Sequence, residues 1–393
     1  MIVKPMVRNH ICLSAHPLGC EAETRRQIEY VKARREEYAR LEDKPGTVLV
    51  IGASGGYGLS SRIAAAFGCG SATVGISFEK GPSGNKTATP GWYNNRTFDA
   101  AARGMGLEAV TIDIDAFSGE AKEVAIEAAR RLGAKYDLVV YSLASPVRTD
   151  PATGILHRSV IKPIGASFSG TTVDVFTGRF SEVTVEPANT EETAATIKVM
   201  GGEDWRLWIE ALARAGVLAS GAVTLAYSYI GPELSWPIYR DGTLGRAKAD
   251  LDATAKLLNL SGSVPGLKAY VSVNKAVVTR ASAVIPIIPL YVSVLFRVMK
   301  RRGCHEDCTA QMDRLFREKL YCRGPVPTDA LGRIRLDDKE MEEGVQAEVG
   351  EIMSRITQDT AADLADIEGF KADFLAAHGF GIPGVDYGAN IEP

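Results

Sequence analysis

An α/β fold built on a doubly wound parallel sheet is predicted by three observations along this chain of 393 residues. Short, apolar, β-branched runs alternate with longer helical stretches, the rhythm of strand-to-strand crossovers made through helices. The first of the apolar runs leads straight into a glycine-rich turn, Gly52-Ala53-Ser54-Gly55-Gly56-Tyr57-Gly58. Far downstream, Tyr239 and Lys248 stand with eight residues between them, directly after another predicted strand.

Each element follows from local pattern. Residues 22–42 mix Glu, Arg, Lys and Tyr with Ile28, Val31 and Leu41, which predicts a helix with a thin apolar stripe packed outside the sheet. Thr47-Val48-Leu49-Val50-Ile51 reads as a central parallel strand, apolar throughout because both its faces are covered. A helix is expected over 59–67, a strand over 73–78, a helix over 98–105, a strand over 109–112, a helix over 119–132 and a strand over 138–142. Residues 151–200, rich in Thr and Val and broken by glycine, interrupt the alternation as a small antiparallel excursion. A helix over 203–215, a strand over 221–227 and a strand over 269–273 resume it. The expected organisation is one extended Rossmann-type domain over 1–393. Its core spans about 45–280, the inserted β excursion about 151–200, a substrate-lid region about 281–330 and a C-terminal extension 331–393.

Composition narrows the function classes. With 46% hydrophobic and 24% charged residues the chain is an ordinary globule, and a net charge of -3 offers nothing to attract nucleic acid. The six cysteines, Cys12, Cys20, Cys69, Cys304, Cys308 and Cys322, are dispersed, which favours reduced thiols and a cytoplasmic setting. The N-terminus lacks the apolar stretch of a signal peptide. The apolar run 284–296 is shorter than the roughly 20 residues of a membrane span and carries Pro286 and Pro289, so it reads as buried or substrate-facing. Cys304-His305-Glu306-Asp307-Cys308 has no second ligand pair at metal-binding spacing, so no metal is expected there. No Ser/His/Asp arrangement supports hydrolysis.

The glycine turn sits between strand and helix, where tight turning and close approach of a pyrophosphate to backbone N–H groups both require residues without side chains. Its residues Gly52, Ala53, Ser54, Gly55, Gly56 and Tyr57 are therefore candidate dinucleotide contacts, with the phosphates on the N-terminus of a helix beginning near Leu59. Phe78 and Glu79 close the second strand. An acid there accepts hydrogen bonds from the adenosine ribose and repels a 2′-phosphate, which predicts NADH over NADPH. Asp115 and Ala116, after the third strand, fit an adenine contact, and Leu143 and Ala144, after the fourth, a ribose-lining position.

At the reacting end, the familiar short-chain reductases carry Tyr and Lys one helical turn apart, so that both face the nicotinamide ribose. Here Pro237 and Gly242 disfavour a regular helix through Tyr239, whereas Thr243 is placed to cap a helix carrying Leu244, Ala247, Lys248 and Leu251 on one side. Tyr239 then comes from the loop leading into that helix. Tyr229, one strand-end away, could share the same substrate oxygen, and which of the two delivers a proton is left open by sequence.

Several blocks in this order resemble the trans-2-enoyl thioester reductases of the FabV type, a divergent branch of the short-chain dehydrogenase/reductase superfamily. They are the glycine turn, Gly91-Trp92-Tyr93-Asn94, Tyr141-Ser142-Leu143-Ala144-Ser145-Pro146, Met200-Gly201-Gly202-Glu203-Asp204-Trp205, Tyr229-Ile230-Gly231-Pro232-Glu233, Trp236-Pro237-Ile238-Tyr239 and Gly384-Val385-Asp386-Tyr387. The resemblance implies NADH-dependent reduction of an enoyl thioester on CoA or acyl carrier protein. It also implies Tyr239 as proton donor, Lys248 as a cofactor ligand, Tyr229 as a substrate contact, and Val277, Val278 and Thr279 beside the nicotinamide half of the cofactor. Arg280 and Ala283 depart from the uncharged polar residue and the serine expected there. A monomer is the expected working unit. The basic run Arg297-Val298-Met299-Lys300-Arg301-Arg302 either meets the phosphates of CoA or an acidic carrier, or simply ends a helix in solvent. The rival readings are a short-chain carbonyl reductase and a catalytically silent NADH sensor.

Overall fold

A computed structural model describes residues 1–8, 11–279 and 287–392. Seven parallel strands form the central sheet: β1 Thr47–Ile51, β2 Ala72–Ser77, β3 Ala109–Asp113, β4 Tyr136–Tyr141, β5 Leu218–Ser228, β6 Lys268–Val273 and β7 Ile334–Arg335. Their order is β7-β6-β5-β4-β1-β2-β3, so the winding direction reverses between β1 and β4. That reversal opens a crevice at the carboxyl ends of these two strands, where open α/β sheets bind ligands. The predicted doubly wound parallel sheet is therefore the fold.

The fully apolar β1 is covered on both faces, as its sequence requires. Leu49 and Ile51 pack toward Trp205, Trp208 and the alanine face of the helix Gly119–Arg131, while Val48 and Val50 pack toward Ile28, Val31, Phe98 and Phe316. A third cluster surrounds the helix Ile288–Arg301, whose Tyr291, Val294, Leu295 and Val298 are buried against Val345, Val349, Phe370 and Phe374. The described part of the predicted apolar run is thus interior. No helix of the described residues is long and apolar enough to cross a membrane.

Element limits differ from the sequence expectation where a tertiary cause intervenes. The first long helix is Pro17–Lys32, followed by a separate turn Arg35–Ala39, instead of one helix over 22–42. Its start is fixed by the buried His16 ring, which accepts from the Gly19 N–H. The helix expected from 98 opens at Pro90, where proline's missing N–H costs nothing. Residues 147–185 do form antiparallel pieces, Val147–Thr149 with Leu156–Arg158 and Phe168–Asp174 with Arg179–Val185. The excursion then ends in a helix, Thr190–Met200, with Asn189 and Glu192 making a reciprocal capping box.

Candidate active site

The turn after β1 has the geometry its glycines predict. Gly52 adopts φ 89°, a region that side chains avoid, and a Cβ there would collide with the carbonyl oxygen of Ser142 beyond β4. A Cβ on Gly58 would collide with the carbonyl oxygen of Gly52. The helix begins at Gly56 after extended Gly55, three residues before the expected Leu59, because closing the turn forces helical entry on residues of poor intrinsic propensity. Its first N–H groups lack intrahelical acceptors and are suited to a pyrophosphate. Gly52 and Ala53 donate to the carbonyl oxygen of Ile76 at 2.9 and 3.0 Å, which ties the turn to the end of β2.

Glu79 stands at that end. The Ser54 hydroxyl donates to its Oε1 at 2.6 Å, Asn94 Nδ2 donates to the Ser54 carbonyl oxygen at 3.0 Å, and the Glu79 N–H donates to Asp113 Oδ1 at 2.7 Å. The carboxylate is thereby held against the rim of the turn, beside Phe78, a residue 74% exposed. The Ser54 contact was not legible in sequence, since the two residues lie on different crossovers.

Asp115 accepts the Phe117 N–H at 3.0 Å, and the Ala116 carbonyl oxygen accepts from Trp208 Nε1 at 3.1 Å and Lys122 Nζ at 3.3 Å. Lys122 is paired in turn with buried Asp204 at 3.0 Å. This brace from helix to loop positions the predicted adenine segment. Leu143 is half-buried against the core beneath the crevice and Ala144 is exposed.

The reacting end assembles beyond β5. Tyr239 lies in irregular turns between the short helical turn Glu233–Ser235 and the helix Thr243–Leu260, as Pro237 and Gly242 predict. Thr243 does not cap that helix. Gly242 occupies the cap position, and the Thr243 hydroxyl donates instead to the Val160 carbonyl oxygen at 2.6 Å, a partner supplied by the inserted excursion. Lys248 Nζ donates to the Tyr227 carbonyl oxygen at 3.1 Å, and the Tyr229 ring meets Tyr239 edge to face with centroids 4.9 Å apart. The carboxyl end of β5 therefore holds both halves of the predicted pair, through residues two apart.

Burial shifts these groups strongly. Desolvation lowers the Lys248 ammonium to about 8, with nearby Asp252 opposing. Tyr239 is pushed up, by burial first and the charge of Glu340 second. Burial therefore sets the direction at Tyr239, because a desolvated phenolate is disfavoured. Tyr229 moves up for the same two causes, burial before Glu340.

Val277 and Val278 are buried, and Val278 shares the cluster of Tyr239. Thr279 Cγ2 lies 3.6 Å from where a Gly56 Cβ would stand. The segment 277–279 thus reaches from the tyrosines to the dinucleotide turn. Tyr57 donates to the Lys275 carbonyl oxygen at 2.7 Å, with its ring tilted against Tyr227 at 5.6 Å, so it buttresses this segment. Arg280 and Ala283 lie outside the described residues, as does the start of the predicted lid. In the basic run, Lys300 pairs with Asp366 at 2.7 Å, Arg301 pairs with Glu348, and Arg302 pairs with Glu348 at 3.0 Å, which matches the helix-end alternative.

A glycine turn at a topological switch point, a carboxylate at the end of the second strand, and a tyrosine and lysine at the end of the fifth define a dinucleotide-dependent reductase of the short-chain type. Comparison with known proteins narrows this class. Residues 86–321 match the model of the trans-2-enoyl-CoA reductase catalytic region, and residues 2–84 that of the NAD(P)H binding domain of trans-2-enoyl-CoA reductase. The trans-2-enoyl-CoA reductase [NADH] of Treponema denticola is 56% identical, over 100% of this chain and 99% of that protein. The enoyl-[acyl-carrier-protein] reductase [NADH] of Flavobacterium johnsoniae is 51% identical over 100% and 98%. The crystal structure of the Treponema denticola enzyme in complex with NAD superposes with a TM-score of 0.97, covering 100% of this chain and 98% of that one. The Clostridium acetobutulicum enzyme in complex with NADH, 43% identical, gives 0.96 with the same coverage. The chain belongs to the trans-2-enoyl-CoA reductase family.

Residues 328–391 match a model described as the enoyl reductase FAD binding domain. The described residues of this stretch do not fit a flavin dinucleotide. They contain the two-residue strand β7 and the helices Glu343–Arg355, Ala361–Leu364 and Ile367–Ala376, with no strand, glycine turn and helix in succession. Their apolar faces are already buried against Ile288–Arg301.

Proposed function

We infer that this chain is an NADH-dependent reductase of the carbon–carbon double bond of trans-2-enoyl thioesters, yielding saturated acyl thioesters in fatty acid synthesis. What supports this most is the meeting, through residues 277–279, of a dinucleotide turn with the Tyr239, Tyr229 and Lys248 group. The relatives named for CoA and for acyl carrier protein substrates both align with the chain end to end.

When bound, NADH supplies the hydride, which the β-carbon of the enoyl group takes up. The electron pair of the double bond then moves toward the thioester carbonyl, and an enolate oxygen develops charge. Tyr239 donates a hydrogen bond to that oxygen, and the bond strengthens as charge grows, an effect worth about 10²-fold to 10³-fold in rate. Its raised pKa keeps the phenol protonated at neutral pH, so a proton is available to pass toward the α-carbon. Lys248 holds the nicotinamide ribose. The turn residues Gly52 to Tyr57 bind the pyrophosphate, Phe78 and Glu79 the adenosine ribose side, Asp115 and Ala116 the adenine, Leu143 and Ala144 line a ribose, and Val277 to Thr279 lie beside the nicotinamide half. The working unit of this reading is a monomer. The cytoplasm is its setting, in keeping with six dispersed cysteines outside any disulfide.

The test is spectrophotometric. NADH oxidation is followed with crotonyl-CoA, with the same acyl group on carrier protein, and with a 3-oxoacyl thioester. Turnover with the enoyl substrates alone is expected. Turnover with the 3-oxoacyl thioester alone makes the protein a carbonyl reductase, and NADH binding without turnover of any substrate makes it a sensor. Light scattering at assay concentration checks the monomer, and twice the chain mass overturns it.

A further inference from the structure

Behind the two tyrosines lies a carboxylate that sequence reading passed over. Glu340 falls in the run Asp337-Asp338-Lys339-Glu340-Met341-Glu342-Glu343, which reads as a solvated acidic loop, yet its side chain is 0% exposed. Three donors converge on it. The hydroxyls of Tyr229 and Tyr291 reach Oε1 at 2.9 and 2.6 Å, and the Ala276 N–H reaches Oε2 at 2.6 Å. The Gln346 amide donates to the Glu340 carbonyl oxygen at 2.6 Å and to the Tyr291 hydroxyl at 3.4 Å, fixing the loop and the second tyrosine from outside. Buried Lys275 acts on Glu340 as an opposite charge, and its ammonium donates to the Ala276 carbonyl oxygen at 2.6 Å.

A phenol has one proton and an ionised carboxylate has none, so the direction of the Tyr229 bond is decided: the tyrosine donates and Glu340 accepts. We propose that Glu340 is a positioning residue of the reduction, which takes the Tyr229 hydroxyl proton as a hydrogen bond and leaves Tyr239 as the hydroxyl free to donate to substrate. The Tyr239 hydroxyl makes no hydrogen bond among the described residues, whereas the Tyr229 proton is committed. With its oxygen tethered, the Tyr229 ring becomes a fixed wall against which Tyr239 packs edge to face. Burial pushes the Glu340 carboxyl up on balance, while Lys275 and the three donors pull it back toward the ionised form that accepts from all three. This inference rests on the reduction proposed above.

The experiment is a double-mutant cycle on the full chain, using crotonyl-CoA and NADH. In Glu340→Gln an amide cannot accept from Tyr229, Tyr291 and Ala276 together, so one donor is left facing another. Expected is a fall in kcat of about ten- to a hundredfold, the range that misplacing a reacting group causes, with the KM for NADH within about threefold of wild type. Tyr229→Phe is expected to lower kcat too, and the double variant to lie within about threefold of Tyr229→Phe, because Glu340 acts through that hydroxyl. Penalties that multiply, or an unchanged kcat in Glu340→Gln, overturn the proposal while leaving the enoyl reductase reading intact. A wild-type protein that reduces no enoyl thioester ends both. If calorimetry shows that Glu340→Gln does not fold, Glu340→Asp replaces it. That variant keeps the charge, retracts the carboxylate from Tyr229 by one methylene, and is held to the same non-multiplying outcome.

Discussion

Tyr239 and Tyr229 meet edge to face, ring centroids 4.9 Å apart and planes at 89°, although one lies in an irregular turn and the other just past a strand. The contact places two phenols of opposite hydrogen-bonding state side by side, one tethered to Glu340 and one with no hydrogen bond among the described residues. Chemistry at the site depends on which of them is removed.

Tyr239→Phe is expected to lower kcat with crotonyl-CoA by about 10²-fold to 10³-fold, the cost of losing one donor to a developing oxyanion. NADH affinity, read by fluorescence titration, stays within about twofold. An unchanged kcat removes Tyr239 from the chemistry.

The lowered Lys248 ammonium makes the stability of the fold depend on pH. Its folded-state pKa, about 8, lies below the roughly 10.4 of an unfolded lysine, so the unfolded chain binds more protons between those values and stability gains from this group as pH rises through that window. Lys248→Met removes the buried charge. The variant is expected to melt at or above the wild-type temperature at pH 7, with the difference shrinking toward pH 10. NADH affinity should fall by about tenfold in the variant at pH 7, the loss of a charged hydrogen bond of about 1.5 kcal/mol. Melting curves across pH and a binding titration check both signs.

Glu79→Ser removes the acid at the end of β2 while leaving Ser54 and Asn94 in place. The ratio of kcat/KM for NADH over that for NADPH is expected to fall by at least about tenfold, since the carboxylate both accepts from the ribose and repels a 2′-phosphate. A ratio that does not move assigns the preference elsewhere, for example to the neighbouring Lys80.

Asp204→Ala leaves Lys122 buried without its ion pair and frees Tyr141, which donates to the other Asp204 oxygen at 3.2 Å. Stability is expected to drop by about 3–5 kcal/mol in denaturant unfolding, the cost of orphaning a buried charge. Because Lys122 also holds the Ala116 carbonyl oxygen, the KM for NADH should rise at a temperature where the variant remains folded.

The strand Thr47–Ile51 was legible to the residue because a fully covered parallel strand must be apolar at every position. The helix starts at Gly56 and Pro90 were not, because glycines and a proline hide the helical periodicity that starts later in each segment. Helix Thr190–Met200 is not legible as one, because its first seven residues are only Thr, Glu and Ala and carry no clear apolar stripe. Thr243 does not make the cap its position suggests, since its hydroxyl finds Val160 across the fold instead of its own helix.

From sequence alone came the parallel sheet, the dinucleotide turn, the acid after the second strand and the Tyr239 and Lys248 pair, because each is written in contiguous residues whose backbone needs are local. Only the folded chain decided what stands behind them: Ser54 against Glu79, Lys248 on the carbonyl of Tyr227, and Glu340 beneath Tyr229, partners 25, 21 and 111 positions apart in the chain. Contacts of that range leave no mark in local pattern, since burial of an acid from an acidic loop is settled by which elements pack over it.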